Sequence, residues 1–269
     1  MELVNGMKKK TIFIAAFLLI LTGCSKSTDK VESMKSPQKT QAQEIQTINY
    51  YSYLDEIDMN NVQKSEFDFS LTYDKENPME LKNESSHIFL ARVVSLEKAD
   101  SPSNDEETPM DMVIPFTYGK LEVLQSFQGE VSGVVDFVRL GGIMKEKDLY
   151  KNEIPEVLEK RNLLRLESGR PPIEESEEYI DIRSQGDILL EAGGIYLFFA
   201  RWDDEWKKYD LEGYEYGALY LEKDGKSVGK MRSLDKRIEA SLTLRNLSNG
   251  LEYGLKDYLE NELAIQVYD

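Results

Sequence analysis

Reactive side chains are scarce in this sequence. Cys24 is the only cysteine and His87 the only histidine. One thiol permits no intramolecular disulfide, no zinc finger and no dithiol redox pair. One imidazole leaves Ser/His and Cys/His nucleophile systems dependent on His87 alone. His87 opens an apolar run with no second histidine to share a metal, so it is expected to cap or pack. No catalytic residue, cofactor or metal site is expected, and the ligand-binding residues stay unassigned.

Carboxylates, by contrast, abound. Asp105, Glu106 and Glu107, then Glu174, Glu175, Glu177 and Glu178, then Asp203, Asp204 and Glu205 form three clusters. Calcium favours such oxygen-rich loops. Asp58-Met59-Asn60 opens like an EF-hand loop, but Val62 and Phe69 then stand where ligands are needed, so solvated loops are the expectation. With 50 acidic residues in the chain, pairs of the glycosidase kind are unavoidable and no single pair is informative. Ser33-Met34-Lys35 and Ser95-Leu96-Glu97-Lys98 suggest Ser/Lys catalysis, yet the first lies in a polar linker and the second ends a strand. Trp202, Trp206, Tyr209, Tyr214, Tyr216 and Tyr220 could stack on sugars or peptides. Tyr214, Tyr216 and Tyr220 share a parity, which points to packing on one face of a strand pair. Gly141-Gly142 and Gly193-Gly194 lack the Lys-Ser/Thr of a phosphate loop and read as bulges or sharp bends.

Composition narrows the function classes. A hydrophobic fraction of 41% with a mean hydropathy of −0.49 describes a soluble body, not a polytopic membrane protein. The net charge of −17 repels phosphate backbones, so nucleic acid is excluded as a partner.

The leader decides the expected address. Lys8, Lys9 and Lys10 form a positive start, and Ile12 to Leu21 an apolar run too short to span a bilayer comfortably, which takes about 20 residues. Met7 is the better start for such a leader than Met1. The run ends in Leu21-Thr22-Gly23-Cys24, which resembles the lipobox of bacterial lipoproteins. That resemblance implies acylation of the Cys24 thiol and cleavage just before it, giving a signal peptide at 1–23. It also implies attachment to the outer face of the cell membrane, where several acyl chains hold far more firmly than one. Residues 24–46, polar and rich in Ser, Lys, Thr and Gln, read as a disordered tether. Residues 47–269 read as a single β-rich domain.

Within it, ordered structure is expected to begin between Ile48 and Phe67. Phe67, Phe69, Leu71 and Tyr73 alternate with polar residues as a half-buried strand does. Strands are also expected at His87 to Leu96, Phe116 to Phe127, Val134 to Leu140, in two pieces across Ile188 to Ala200, at Ala218 to Leu221 and at Ser227 to Met231. Asp224-Gly225 marks a hairpin between the last two. Pro155 and Gly169 bound a helix over Asn152 to Ser168. Leu244, Leu247, Leu251, Leu255, Leu259 and Leu263 suggest a second. Met144 to Tyr179 reads as a helical insertion between strands. Ile154, Val157, Leu158 and Leu164 would press its helix on the domain, and Pro171 to Glu178 would be its most mobile part.

The succession HIFLARVVSL, YGKLEVLQSFQGEV, VDFVRLGG and LEAGGIYLFFA resembles, over roughly His87 to Leu221, the OB-like barrel of the netrin and metalloproteinase-inhibitor group found in exported Gram-positive proteins. It implies a mainly β fold with helical additions, an OB-like closed or partly open barrel. The inhibitors act through an N-terminal Cys-x-Cys and disulfides; Lys26 stands where the second cysteine would be, so inhibition does not carry over. The expectation is a lipid-anchored, non-enzymatic binding or accessory module meeting an envelope protein or glycan. The alternatives are an envelope enzyme using paired carboxylates, for example on cell-wall glycans, and an accessory protein of a transporter or secretion complex.

Overall fold

Two apolar strands organise the chain because each is buried on both faces. The computed structural model describes residues 49–68, 71–101, 113–222 and 242–267. In chain order these form β1 (Tyr51–Ser52), β2 (Gln63–Phe67), α1 (Pro78–Glu84), β3 (His87–Asp100), β4 (Phe116–Gln128), β5 (Gly133–Leu140) and β6 (Gly142–Lys145). Then come α2 (Glu146–Leu149), α3 (Pro155–Glu167), β7 (Tyr179–Ser184), β8 (Ile195–Asp203), β9 (Lys208–Leu211), β10 (Ala218–Glu222), β11 (Thr243–Arg245), β12 (Glu252–Gly254) and α4 (Leu255–Asp257), continued by a π turn at Tyr258–Glu262. They belong to one unit, Thr47–Asp269. Strand outweighs helix, 41% against 24%, so the fold is mainly β.

Successive side chains of a strand point to opposite faces, and β3 and β8 use both. Ile88 and Leu90 of β3 join Ile195, Leu197 and Phe199 of β8 in one cluster, with Leu81 of α1, Leu219, Leu244, Leu255 and Leu259. The alternate residues Phe89, Ala91 and Val93 meet Tyr196, Phe198 and Ala200 in a second cluster. Leu121 of β4, Phe137 of β5 and Tyr209 of β9 join it, so the five strands β3, β4, β5, β8 and β9 all contribute, together with Ala218 of β10.

Those five strands lie in the order β3-β4-β5-β9-β8 within a nine-stranded mixed sheet, and β8 also pairs back onto β3. Leu90 faces Leu197 on that side and Gln125 of β4 on the other. The result is a partial ring of strands. Register shifts along β3–β4 bend the long pair as bulges do. The β5–β9 contact is parallel and the other pairings around the ring are antiparallel. A smaller sheet, β2-β7-β6, sits over a third cluster of Ile114, Met144, Leu149 and Ile182.

Several expectations need correction. Beyond Phe67 the alternating stretch leaves the strand: Leu71 and Tyr73 lie in irregular chain, and Phe69 falls outside the described residues. Of the two strands foreseen in Ile188 to Ala200, the first is a loop; Gly193 at φ +88° turns the chain before β8 begins. The long C-terminal helix breaks into β11, a turn, β12 and α4. Asn246 accepts the amides of Ser248 and Asn249, and Gly250 takes φ +75°, which closes a hairpin instead of continuing a helix. Leu247 and Leu251 stand exposed there while Leu244, Leu255, Leu259 and Leu263 are buried. Ser227 to Met231 lies outside the described residues; the described neighbour of β10 across from β8 is β11.

The insertion is closed at its base by Lys145 paired with Tyr179, but of the four residues foreseen to press α3 on the domain only Val157 and Leu158 are half-buried. Ile154 is 51% exposed and Leu164 67%. The buried residue of α3 is Arg165. Its guanidinium reaches Glu146 of α2, the Ser176 hydroxyl, the Pro171 carbonyl and Glu178, and Arg170 pairs with Glu178 too. The Pro171 to Glu178 stretch, expected to be mobile, is packed: Ile173 is buried and its amide donates to Asn162, and Ser176 is buried. A buried guanidinium must be fully hydrogen-bonded to be tolerated, and this segment supplies the acceptors.

Candidate functional site

A cleft of about 150 Å³ lies among α1 and the segment before it, the turn before β10, and the β11–β12 hairpin with the helix that follows. The first wall is the segment entering α1. Asn77 caps that helix by accepting the Met79 amide, Pro78 occupies its first turn, and Leu81 buries itself in the core. This brings Lys75 and Glu76 to the rim.

The second wall is the 3₁₀ turn Tyr214–Tyr216. Gly213 takes φ +75° and Tyr214 φ +46° to enter it. Gly217 leaves it so close to the Glu212 carbonyl that a Cβ would lie 1.6 Å away, so only glycine fits. Strain of this kind is retained where the surroundings over-determine it. Lys75 fastens the two walls. Its ammonium lies 2.8 Å from the Glu215 carboxylate and 5.3 and 5.9 Å from the Tyr214 and Tyr216 ring centres.

The third wall is the β11–β12 hairpin and α4, which contribute Asn246, Asn249, Tyr253 and Tyr258. The Tyr253 and Tyr258 rings pack at 5.0 Å with planes 56° apart. Burial raises the Tyr258 phenol well above the usual tyrosine range, with Tyr253 and Glu262 adding to it, so it stays a protonated donor.

A second polar cluster lies at the end of β9. Asp210 and Glu212 alternate with buried Tyr209 and Leu211 and so share a face. Arg201 of β8 lies 3.6 Å from Asp210 and 3.0 Å from Glu212, and the Tyr73 hydroxyl donates to Glu212 at 3.5 Å. Burial, then the neighbouring Glu212 charge, pushes Asp210 up to about 7 against the pull of Arg201. Burial raises Glu212 as well. The arrangement is a carboxylate pair bridged by a guanidinium, with one member able to hold a proton near neutrality.

The residues singled out from sequence scatter. Cys24, the leader, Ser33 to Lys35, Asp105 to Glu107 and Asp224-Gly225 lie outside the described residues. His87 packs edge-on against Tyr209 at 5.0 Å with its Nδ1 2.8 Å from the Ser86 hydroxyl, and burial lowers its pKa. Asp58 caps a 3₁₀ turn, accepting from Asn60 and Asn61. Asp203 and Asp204 build the β8–β9 turn, accepting from the Trp206 amide and the Trp202 indole. Ser95 sits inside β3 with Glu97, and Lys98 pairs with Asp100. Among the described residues no group of three or more acidic, histidine or cysteine side chains is disposed to hold a metal ion.

The aromatic stretch does not form one face, because Tyr214 and Tyr216 belong to a turn and not to a strand. Trp202 packs on Tyr209, Trp206 on Phe116, Tyr220 on Tyr196 and Tyr214 on Phe67. Of the six, Tyr216 alone lines the cleft. Lys75, Asn246, Tyr253 and Tyr258 escaped sequence reading; the turn-forming Asn246 to Gly250 run was the signal that would have placed them.

No family model, curated protein or solved structure matches the chain.

Proposed function

We propose that this chain is a lipid-anchored protein of the outer face of a bacterial membrane that works by binding an envelope component in the tyrosine-walled cleft. The anchor reading rests on Leu21-Thr22-Gly23-Cys24 after a short apolar run. The observation that carries the binding reading is the cleft itself. It combines aromatic and apolar walls with a few convergent amides and one lysine. The partial ring fits the OB-like barrel: five strands, one parallel contact, and helix α3 between β5 and β8.

Two measurements test it. Cys24→Ser should abolish alkyne fatty-acid labelling in cells; equal labelling of the two proteins would sink the anchor. Cross-linking in intact cells should capture an envelope component that Tyr253→Ala loses, and identical capture by both would remove the cleft from the function.

A carboxylate-using envelope enzyme is the second reading, favoured by Asp210 titrating near 7 beside Glu212. Arg201 between the two carboxylates speaks for a held pair, and neither residue lines the cleft.

A further inference from the structure

Leucines gather on the outside of α3. Among the described residues six large apolar side chains are more than half exposed, and four of them, Ile154, Leu163, Leu164 and Leu166, lie on α3 or just before it. Single exposed leucines are ordinary, but neighbours on one helix are a patch. The other side of α3 is the one that faces the domain, where Arg165 is buried and Leu158 and Asn162 are half-buried.

The outer stripe has an order. Lys160, Leu163, Leu164 and Glu167 follow i, i+3, i+4 and i+7, so they share one face, and all four are exposed. Other charges of α3 are spent within the molecule. Arg161 pairs with Glu153 and lies over the Tyr150 ring, and Arg165 pairs with Glu146 and Glu178. Neither Lys160 nor Glu167 is in an ion pair with a described residue.

Turned end over end about a point midway between Leu163 and Leu164, this stripe matches itself. Leucines meet at the centre. About 5 Å along the helix axis to either side, Lys160 of one copy stands opposite Glu167 of a second copy, and the match occurs twice. A parallel pair would instead set Lys160 against Lys160 and Glu167 against Glu167. A bilayer suits the face less well, because Glu156, Glu159 and Glu167 are exposed beside the leucines. Helices that lie on lipid carry Lys and Arg in such places. Two copies at −17 repel at a distance, but salt screens that beyond about 8 Å and leaves the charges at the contact to decide.

We propose that two copies of this chain pair antiparallel through α3, with Leu163 and Leu164 as the seam and two Lys160–Glu167 ion pairs fixing the register. The stripe is small beside the roughly 800 Å² per partner of a standard interface, so the pair is weak and forms where copies are crowded. The membrane anchor proposed above supplies the crowding. Pairing needs no part of the cleft.

The test is cross-linking of the full chain in its own cells with a short, membrane-permeant bismaleimide. The parent, with Cys24 alone, sets the background. Leu163→Cys should give a product of twice the chain's mass. Val134→Cys, at a position 61% exposed on β5, should stay at background. In the Leu163→Cys chain, Lys160→Glu should cut the product about tenfold, since two attractive contacts become repulsive. Adding Glu167→Lys should restore it, because the exchange sets opposite charges together again, and that recovery separates a lost contact from a lost fold. An equal product from Val134→Cys would be collision alone and overturns the proposal. A product that Lys160→Glu leaves unchanged, or that the charge exchange does not restore, overturns it too, because the contact then has another register. A Leu163→Cys product of any other mass gives the face to a different protein, and no product at all leaves it without a partner; either result overturns the pairing.

Discussion

The β3–β8 core and the insertion around α3 are built from opposite materials. Ile88, Leu90, Leu197 and Phe199 on one face and Phe89, Tyr196 and Phe198 on the other are buried completely, with hydrocarbon meeting hydrocarbon. In the insertion a single buried guanidinium, Arg165, is met by Glu146, Glu178, Ser176 and a carbonyl, while leucines of the same helix face water. Apolar burial is nondirectional and stabilises in proportion to area. A buried ion network contributes little net stability but fixes geometry, since removing one member strands the others. The ring is therefore the part that sets whether the chain folds, and the insertion the part whose shape depends on a few atoms.

The strongest way to break this contrast is Phe198→Ala. Phe198 packs at 6.1 Å from Phe89 and 5.5 Å from Tyr196. The cavity should cost about 3–5 kcal/mol and show as a lower urea midpoint for the whole domain. Arg165→Ala should cost about 3 kcal/mol locally. Hydrogen exchange should rise through α3 and residues 170–178 while β3 and β8 keep their protection. Combining Arg165→Met with Glu146→Leu should recover much of the loss; equal exchange in the two variants would show that Arg165 is not the clasp.

Asp210 sharpens the comparison by placing an incompletely compensated charge on a ring strand. Its folded pKa of about 7 lies above the unfolded value. Between roughly pH 4 and 7 the folded state thus holds a proton that the unfolded state has released, and stability falls as pH rises through that window. Asp210→Asn should be more stable at pH 8, by about 2 kcal/mol, and unchanged at pH 4. A parallel shift at both pH values would contradict this. The smallest effect belongs to Leu164→Gln, whose 67% exposure predicts a change within about 0.5 kcal/mol. A larger loss would mean that the outer leucines of α3 are packed after all.

Legibility in the sequence follows the same division. Uninterrupted β-branched and aromatic runs such as HIFLARVV announce strands because only a doubly buried strand uses them at that length. Leucines every third or fourth residue from Leu244 to Leu263 announce a helix, yet Asn246 and Gly250 redirect the chain through side-chain hydrogen bonds that periodicity does not register. Arg165 reads as a solvated helix residue until the distant Glu146 and Glu178 are brought to it. The cleft was hidden for a similar reason. Lys75, Tyr216, Asn246 and Tyr258 are far apart in the chain, three of them belong to turns or helix ends, and tertiary folding alone assembles them.

The pairing of β3 with β8 also sets an order in time. Strand β3 finds β4 next in the chain, and that antiparallel pair forms from local contacts. Its other edge, His87 to Arg92, matches Ile195 to Ala200, which arrive only after β5, the insertion and β7 have been laid down. Until then an apolar strand edge stays open to any other chain that meets it, which is how half-folded β proteins aggregate. Whatever shortens that wait protects the newly made molecule, and the local clasp of the insertion does so by keeping its thirty-odd residues from wandering between two edges that must meet.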